Sequence, residues 1–328
     1  MSRSNSVLLD VKNLKTHFFT PFGVVKAVDG VNFALKKGIS LGLAGESGCG
    51  KTTTALSIMR LLPYPGRIVD GEIFFEGVDV LKLSESELTN FRWGEVSLVF
   101  QGAMAALNPL FKVGSQIIEP ILFHKVAKKY EAVKRTRELL ELVGINASRA
   151  DSYPWELSGG MKQRIMIAMA LACNPKMIIA DEPNTALDVI VASQVMRLIG
   201  DLQKKLDLSM LLITHDISMI AQTCDELSIM YAGKIVEHSD VITMFEYPLH
   251  PYTYALINAF PNIMGQKKRL EGISGSPPDL IDPPKGCRFN PRCSYAKDLC
   301  RREEPELLEV EKDHAVACHF VDEILAKR

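Results

Sequence analysis

The sequence has no long hydrophobic run and almost no net charge, and both absences narrow the classes of protein that it can encode. Its 328 residues carry 38 Lys and Arg against 39 Asp and Glu, for a formal net charge of −1. This balance gives no electrostatic reason to expect binding to nucleic acid or to an anionic membrane surface. No apolar run approaches the ~18 residues of a membrane-spanning helix, and residues 1–7 lack the apolar stretch of a signal peptide. We therefore expect a cytoplasmic chain that binds no nucleic acid.

Internal repeats and low-complexity tracts are absent too, so nothing in the sequence indicates a repeat protein. The hydrophobic content of 47% and the charged content of 23% are ordinary for a globular protein. The length predicts two or three domains.

The clearest motif is the glycine-rich stretch 45–52, GESGCGKT, which matches the phosphate-binding pattern G-x-x-x-x-G-K-[ST]. A predicted buried strand, 39–44, precedes it, and a predicted helix, 53–62, follows it. Glycines let consecutive backbone N–H groups point at a phosphate, and the helix N-terminus adds its positive dipole. We expect Lys51 to reach the β- and γ-phosphates and Thr52 to bind Mg²⁺. The predicted nucleotide-binding residues here are Gly45, Ser47, Gly48, Cys49, Gly50, Lys51, Thr52 and Thr53.

An aromatic residue lies in a predicted turn before this motif. Residues 7–19 and 24–35 predict two strands around a turn at 20–23. Phe22 in this turn could stack on an adenine ring; the alternative is a hairpin residue that packs locally.

Polar side chains follow three short apolar runs of the sequence. Gln101, the pair Asp181 and Glu182, and His215 each stand where a predicted strand ends, which is where ligands bind in α/β sheets. Asp181 suits Mg²⁺, Glu182 suits deprotonation of an attacking water, and His215 suits a γ-phosphate. The two acids can divide these roles only because the chain turns at Pro183. The alternatives are a surface glutamine that starts a loop and a histidine satisfied at a strand end.

A second glycine-rich turn, LSGGMKQR at 157–164, opens a predicted helix that continues to about residue 172. Residues 108–151 before it are predicted to be largely helical. A Ser-Gly-Gly turn at a helix N-terminus is a second anion-binding site in one chain, and the alternative is an ordinary serine cap.

The order and spacing of these motifs, together with Ala-Leu-Asp at 186–188, resemble those of ATP-binding-cassette (ABC) ATPases over about residues 7–241. The resemblance implies an α/β fold with a RecA-like core, an antiparallel β subdomain and a helical subdomain at about 102–165. These would form a nucleotide-binding domain at 1–245.

The same resemblance implies residue roles. Glu182 would be the catalytic base, assisted by His215 and Gln101. The implied Mg²⁺ ligands are Thr52, Gln101 and Asp181, and Phe22 would stack on the adenine. Further implied nucleotide contacts are Ser158, Gly159, Gly160 and Asp188, of which Ser158 and Gly160 would reach the ATP of an opposing subunit.

The C-terminal sequence narrows the resemblance to one group of ABC ATPases. YPLHPYTYAL at 247–256 and GCRFNPRC at 286–293 look like the C-terminal region of oligopeptide/dipeptide importer ATPases. This implies an ATPase at the cytoplasmic face of the membrane, paired with a second, related ATPase subunit. It also implies two transmembrane permease subunits and an extracytoplasmic solute-binding protein. The alternatives are an oligosaccharide or nickel importer, a soluble non-transport ABC ATPase and a regulator that does not hydrolyse ATP.

Four cysteines, Cys287, Cys293, Cys300 and Cys318, have the spacing C-x5-C-x6-C-x17-C. In a reducing compartment they favour a soft metal or a cluster over disulfides. No C-x2-C pair is present, and four thiolates are the ligand count of an iron–sulfur cluster. The resemblance implies a [4Fe–4S] cluster in a small Cys-rich domain within 246–328. Zinc, with His314 or His319 as substitute ligands, and free thiols are the alternatives. We expect this cluster to take no part in ATP hydrolysis, because every predicted phosphate-site residue precedes Leu249.

Overall fold

A computed structural model describes residues 6–100, 102, 106–185, 187–259 and 273–325. Its strands are β1 (Val7–Thr20), β2 (Gly23–Lys36), β3 (Ser40–Ala44), β4 (Gly66–Phe75), β5 (Val78–Asp79), β6 (Val96–Val99), β7 (Met177–Asp181), β8 (Ser209–Ile213), β9 (Glu226–Tyr231), β10 (Lys234–Asp240), β11 (Leu308–Glu311) and β12 (His314–Val316). Its α-helices are α1 (Lys51–Ile58), α2 (Glu85–Gly94), α3 (Val113–Phe123), α4 (Lys129–Leu142), α5 (Gly159–Ala170), α6 (Val189–Leu206), α7 (Ile217–Thr223), α8 (Val241–Glu246), α9 (Pro251–Asn258), α10 (Asp298–Arg302) and α11 (Val321–Leu325).

The chain forms two compact units, each assembled from segments that are distant in sequence. Of the described residues, the first unit contains those up to Leu8, Leu35–Ser40 and Lys82–Ile213. The second contains Leu9–Ala34, Leu41–Leu81 and the described residues from Thr214 onward. The phosphate loop therefore belongs to the second unit, and the strand-end acids and the Ser-Gly-Gly turn belong to the first.

The first unit contains the parallel strands β6, β7 and β8, with β7 between the other two. All of β6, β7 and β8 is buried, as expected for short apolar strands covered on both faces. Buried side chains of α5 and α6, such as Ile167 and Ile199, line an apolar core together with Val99 and Ile178 of the sheet. The predicted helical stretch is confirmed by α3 and α4, which contact each other.

The second unit contains an antiparallel sheet of order β2-β1-β4-β5. A two-residue turn at 21–22 joins β1 to β2, which confirms the predicted hairpin. The same unit contains the hydrogen-bonded order β11-β12-β10-β9-β3, in which β3 is parallel to β9 and the other neighbours are antiparallel. The α/β organisation that the resemblance implies is thus present as a parallel sheet, an antiparallel sheet and the helices α3 and α4.

The expectation of a separate small Cys-rich domain is not confirmed. Strand β12 pairs with β10, with Glu237 opposite Val316, so the C-terminal strands extend the sheet that contains β3. The described residues of 246–328 belong to the second unit together with the phosphate loop. The predicted boundary at 245/246 stays a prediction.

Candidate nucleotide and hydrolysis site

The phosphate loop lies between β3 and α1. Two of its glycines allow close contact with neighbouring backbone, and the third leaves open space beside the loop. A Cβ atom on Gly45 would lie 2.0 Å from the Met230 carbonyl oxygen, and one on Gly50 would lie 2.2 Å from that of Ala27. Gly50 also has a φ of +107°, which a residue with a side chain rarely adopts. A Cβ on Gly48, in contrast, would meet nothing within 4 Å. The loop is therefore fixed by backbone contacts at two glycines and open at the third, where a phosphate can approach.

The ammonium group of Lys51 folds back onto this loop. Its Nζ donates to the carbonyl oxygens of Gly45 at 2.8 Å and Glu46 at 3.0 Å, and it lies 3.6 Å from Cys49 Sγ. Burial raises the pKa of the Cys49 thiol, so this cysteine stays neutral at physiological pH. Helix α1 has no side-chain cap at Gly50 and no acidic residue in its first turn. The positive end of the helix and the Lys51 charge are therefore available to an anion.

Glu46, inside the phosphate loop, is bound by two residues from the C-terminal part of the chain. Arg292 donates from Nη1 to Glu46 Oε2 at 2.6 Å and from Nη2 to Oε1 at 2.9 Å. The Tyr252 hydroxyl accepts the Glu46 backbone N–H at 2.9 Å. The C-terminal part of the chain therefore contacts the phosphate loop. Sequence reasoning missed both residues because they are 246 and 206 positions away from Glu46.

Two other predicted residues of the second unit are exposed. The Phe22 side chain is 89% exposed in the β1–β2 turn, so a hairpin core role is excluded and its face is accessible to a ring. His215 is exposed two residues after β8 ends.

Asp181 and Glu182 end β7 in the first unit. Asp181 is buried, and Glu182 has a φ of +44°, an uncommon conformation for a residue with a side chain. The Glu182 N–H donates to the Ile213 carbonyl at 2.8 Å, and its carboxylate accepts from Thr185 Oγ1 at 3.0 Å. The chain leaves the strand at Glu182, and the turn that follows runs through Pro183, as predicted, and is closed by the Thr185 N–H bond to the Glu182 carbonyl at 3.1 Å.

Val191 of α6 contacts both the Ser-Gly-Gly turn and Asp188. Ser158 is the N-cap of α5, with its Oγ 3.4 Å from the Met161 nitrogen. A Cβ on Gly160 would lie 2.5 Å from Val191 Cγ1, so only glycine permits this approach. The Val191 N–H in turn donates to Asp188 Oδ1 at 2.9 Å. The structure thus gives Asp188 a helix-capping role, which its place before an apolar helix would have indicated.

Gln101 and Ala186, two positions of the predicted motifs, lie outside the described residues.

The four tail cysteines line one small cavity, with His319 among the other lining residues. Burial, with a smaller contribution from negative charge on the other three thiols, raises the pKa of Cys287 to about 12. Across the described ranges, no group of three or more His, Cys, Asp or Glu side chains is arranged to hold a metal ion. His314 Nε2 lies 2.8 Å from Glu237 Oε1 and His319 Nε2 lies 2.9 Å from the Glu303 carbonyl, so both proposed zinc substitutes have other partners.

Two family models match the chain. One describes ABC transporters and matches residues 28–185, and the other describes the C-terminal region of oligopeptide/dipeptide transporters and matches residues 236–300. The oligopeptide transport ATP-binding protein AppD of Bacillus subtilis is 46% identical over 323 residues, 97% of this chain and 98% of AppD. The dipeptide transport ATP-binding protein of Escherichia coli is 44% identical over 315 residues, 95% of this chain and 96% of that protein.

Solved structures agree with these matches. An ATP-binding cassette described as a dimer in a post-hydrolysis state with ADP and Pi is similar with a TM-score of 0.64 and 28% identity, over 71% of this chain and 99% of that one. The cbiO1 protein of Clostridium perfringens is similar with a TM-score of 0.65 and 26% identity, over 74% of this chain and 92% of that one. None of the helices in the described ranges combines the length and the hydrophobicity that a bilayer-spanning helix needs.

Proposed function

Because the chain belongs to the ATP-binding subunits of ABC transporters, in the group with the oligopeptide/dipeptide C-terminal region, we propose that it powers the uptake of peptides. Members of this family are ATPases, and so is this chain. The observation that carries the proposal is the phosphate loop, which is open at Gly48 and keeps the Lys51 ammonium beside it. The names of the relatives favour peptides over the oligosaccharide, nickel and non-transport alternatives.

The catalytic roles follow from the predicted motifs. Lys51 and the loop N–H groups hold the phosphates, Phe22 stacks on adenine and His215 contacts the γ-phosphate. Glu182 orients and deprotonates the attacking water. Magnesium, when bound, neutralises charge on the phosphate oxygens. Its proposed ligands are Thr52, Gln101 and Asp181.

A second ATPase subunit completes the site. The Ser158 cap, Gly159 and Gly160 form a helix N-terminus without acidic residues in its first turn, which suits the γ-phosphate of an ATP bound by another chain. Asp188 supports this turn through Val191. A similar solved cassette is dimeric, and a related rather than identical partner is proposed here.

The dimer proposal is tested with Ser158→Arg in this chain only. The site that uses the partner's lysine should fail to trap nucleotide, while the site that uses Lys51 keeps its affinity. Failure confined to the Lys51 site would contradict an arrangement that acts across the dimer.

The assembled importer contains two transmembrane permeases, and this chain binds them at the cytoplasmic face of the membrane. An extracytoplasmic binding protein delivers the peptide. ATP closes the ATPase dimer, and hydrolysis reopens it, which drives the permease gate.

Reconstitution of the two ATPases with both permeases in lipid vesicles tests this function. Binding protein loaded with peptide should stimulate ATP hydrolysis and peptide accumulation, and Lys51→Ala should abolish both. Stimulation by nickel or an oligosaccharide but not by peptide would contradict the peptide assignment. Hydrolysis indifferent to the permeases would favour a non-transport ATPase.

A second proposal concerns the four tail cysteines, for which we propose a structural [4Fe–4S] cluster. All four line one cavity, and the Cys287 N–H donates to the Cys300 carbonyl at 2.8 Å, which holds Cys287 against α10. A cluster binds each thiolate through a different iron, so the sulfurs need to surround a cavity and not converge on one point. The cavity thus supplies four thiols, which is the ligand count of such a cluster.

Anaerobic purification tests the cluster. Wild-type protein should contain about four irons per chain, with acid-labile sulfide. Cys293→Ser should lower the iron content, while Cys224→Ser, a cysteine outside the cavity, should not. Stoichiometric zinc without iron would contradict the proposal.

A further inference from the structure

Arg292 makes the most specific contact between the C-terminal region and the phosphate loop. Its guanidinium binds both carboxylate oxygens of Glu46, at 2.6 and 2.9 Å. A two-bond contact between a planar cation and a planar carboxylate fixes orientation as well as distance. The Arg292 side chain is 5% exposed and that of Glu46 is 24% exposed, so water screens the pair only in part.

Arg292 is itself held firmly by its surroundings. Its Nε donates to the Ser274 carbonyl at 2.8 Å, and its guanidinium lies 5.7 Å from the ring centre of Tyr231 and 5.9 Å from that of Phe289. Tyr231 and Phe289 contact each other and Tyr252, with ring centres 4.6 to 5.3 Å apart. This aromatic cluster is buried, so it presents Arg292 and the Tyr252 hydroxyl to the loop from a rigid base.

Glu46 transmits this anchoring to the catalytic lysine. The carbonyl oxygens of Gly45 and Glu46 accept the two hydrogen bonds from Lys51 Nζ. The Glu46 side chain is bound by Arg292 and its N–H by Tyr252. A shift of Glu46 would therefore move both oxygens that set the position of the Lys51 ammonium.

We infer that Arg292 is a positioning residue for ATP binding: by clamping Glu46 it holds the phosphate loop and Lys51 in the conformation that receives the nucleotide. The inference rests on the proposed ATP site and deepens it. Its consequence is that the C-terminal region of this chain sets the affinity of the phosphate loop, although it contributes none of the predicted nucleotide contacts.

Arg292→Gln tests the inference in the full-length chain within the assembled transporter. Without the clamp, the loop must be ordered by the nucleotide itself, so the KM for ATP should rise about tenfold, as expected for a coupling between two sites. The kcat should change little, because the chemistry residues are untouched. Arg292→Lys keeps the charge without the two-bond geometry and should give an intermediate KM.

Two further variants separate positioning from general docking of the tail. Arg288→Gln removes another buried tail arginine, whose carboxylate partner is Asp29 of β2, outside the loop. Its KM should stay near the wild-type value. Glu46→Gln removes the same clamp from the loop side, so the double variant with Arg292→Gln should be no worse than either single variant.

The outcomes are distinct. An unchanged KM in Arg292→Gln, an equal rise in Arg288→Gln, additive effects in the double variant, or a fall in kcat with KM unchanged would each overturn the inference. Failure of the wild-type complex to bind ATP would instead overturn the proposed function.

Discussion

The buried carboxylate of Glu237 allows the attachment of the C-terminal region to be tested quantitatively. Glu237 lies in β10 with its side chain fully buried. Its oxygens accept the backbone N–H of Leu249 at 2.6 Å, that of His250 at 2.8 Å and His314 Nε2 at 2.8 Å. One side chain therefore connects β10 to the start of α9 and to β12.

Glu237→Ala would leave these three donors without their acceptor where water does not reach. Removing one partner of a buried charged network costs about 3–5 kcal/mol. A loss of this size in the free energy of local opening should lower the hydrogen-exchange protection of the Leu249 and His250 amides by about two to four orders of magnitude. Glu237→Gln keeps one acceptor oxygen and should lose less.

Hydrogen exchange of the intact chain, followed by mass spectrometry over residues 247–258, measures this effect. Ser239→Ala is the matched control, because Ser239 lies on the same strand, is fully buried and its hydroxyl has no partner among the described residues. Its protection should equal that of wild type. Wild-type protection in Glu237→Ala as well would refute the reasoning that this carboxylate holds the region in place.

Two other predictions follow from the same unit. Burial lowers the pKa of His250 to about 4, with partial opposition from Glu237, and its neutral Nδ1 accepts the Tyr252 N–H at 3.0 Å. The His250 imidazole binds a proton more tightly in the unfolded chain than in the folded one. The neutral imidazole therefore contributes about 3 kcal/mol to the free energy of unfolding above pH ~6.5, and this contribution is lost as the pH falls towards 4. Hydrogen-exchange protection of the Tyr252 amide should fall as the pH is lowered from about 6.5 to 4. His250→Asn keeps an acceptor for the Tyr252 N–H and should make this protection nearly independent of pH. A steep pH dependence in His250→Asn would contradict the assignment of the effect to His250. Gly50→Ala should destabilise the phosphate loop by at least about 1–2 kcal/mol, because Gly50 has a left-handed backbone conformation. Calorimetry should therefore show weaker ATP binding. Gly94→Ala is the control, because a Cβ there would meet no atom within 4 Å, and it should bind ATP normally.

Local patterns in the sequence predicted the elements that carry the chemistry. The buried strand before Gly45, the turn around Phe22, the Ser158 cap and the strand that ends at Asp181 are each set by residues within a few positions of one another. The turn at Pro183 was predicted from the proline itself, whereas the left-handed φ of Glu182 leaves no mark in residue type.

Long-range contacts could not be predicted in this way. No local pattern predicted a contact between the tail and the phosphate loop or β2, yet Arg292 binds Glu46 and Ile281 covers Gly23 of β2. Pairing of β12 with β10 likewise joins segments that no local pattern links. Burial and charge complementarity decide these contacts, and neither depends on order along the chain.

Glu182→Gln in the assembled transporter tests most directly the claim that this chain is an ATP-hydrolysing motor. Glutamine keeps the size of the side chain and an oxygen for the Thr185 hydroxyl, 3.0 Å away in the wild type, so the turn after β7 should persist. Nucleotide binding should be unchanged, whereas steady-state ATP hydrolysis should fall by about 10²–10⁴-fold with the loss of the base. Hydrolysis near the wild-type rate, with ATP bound normally, would contradict the account.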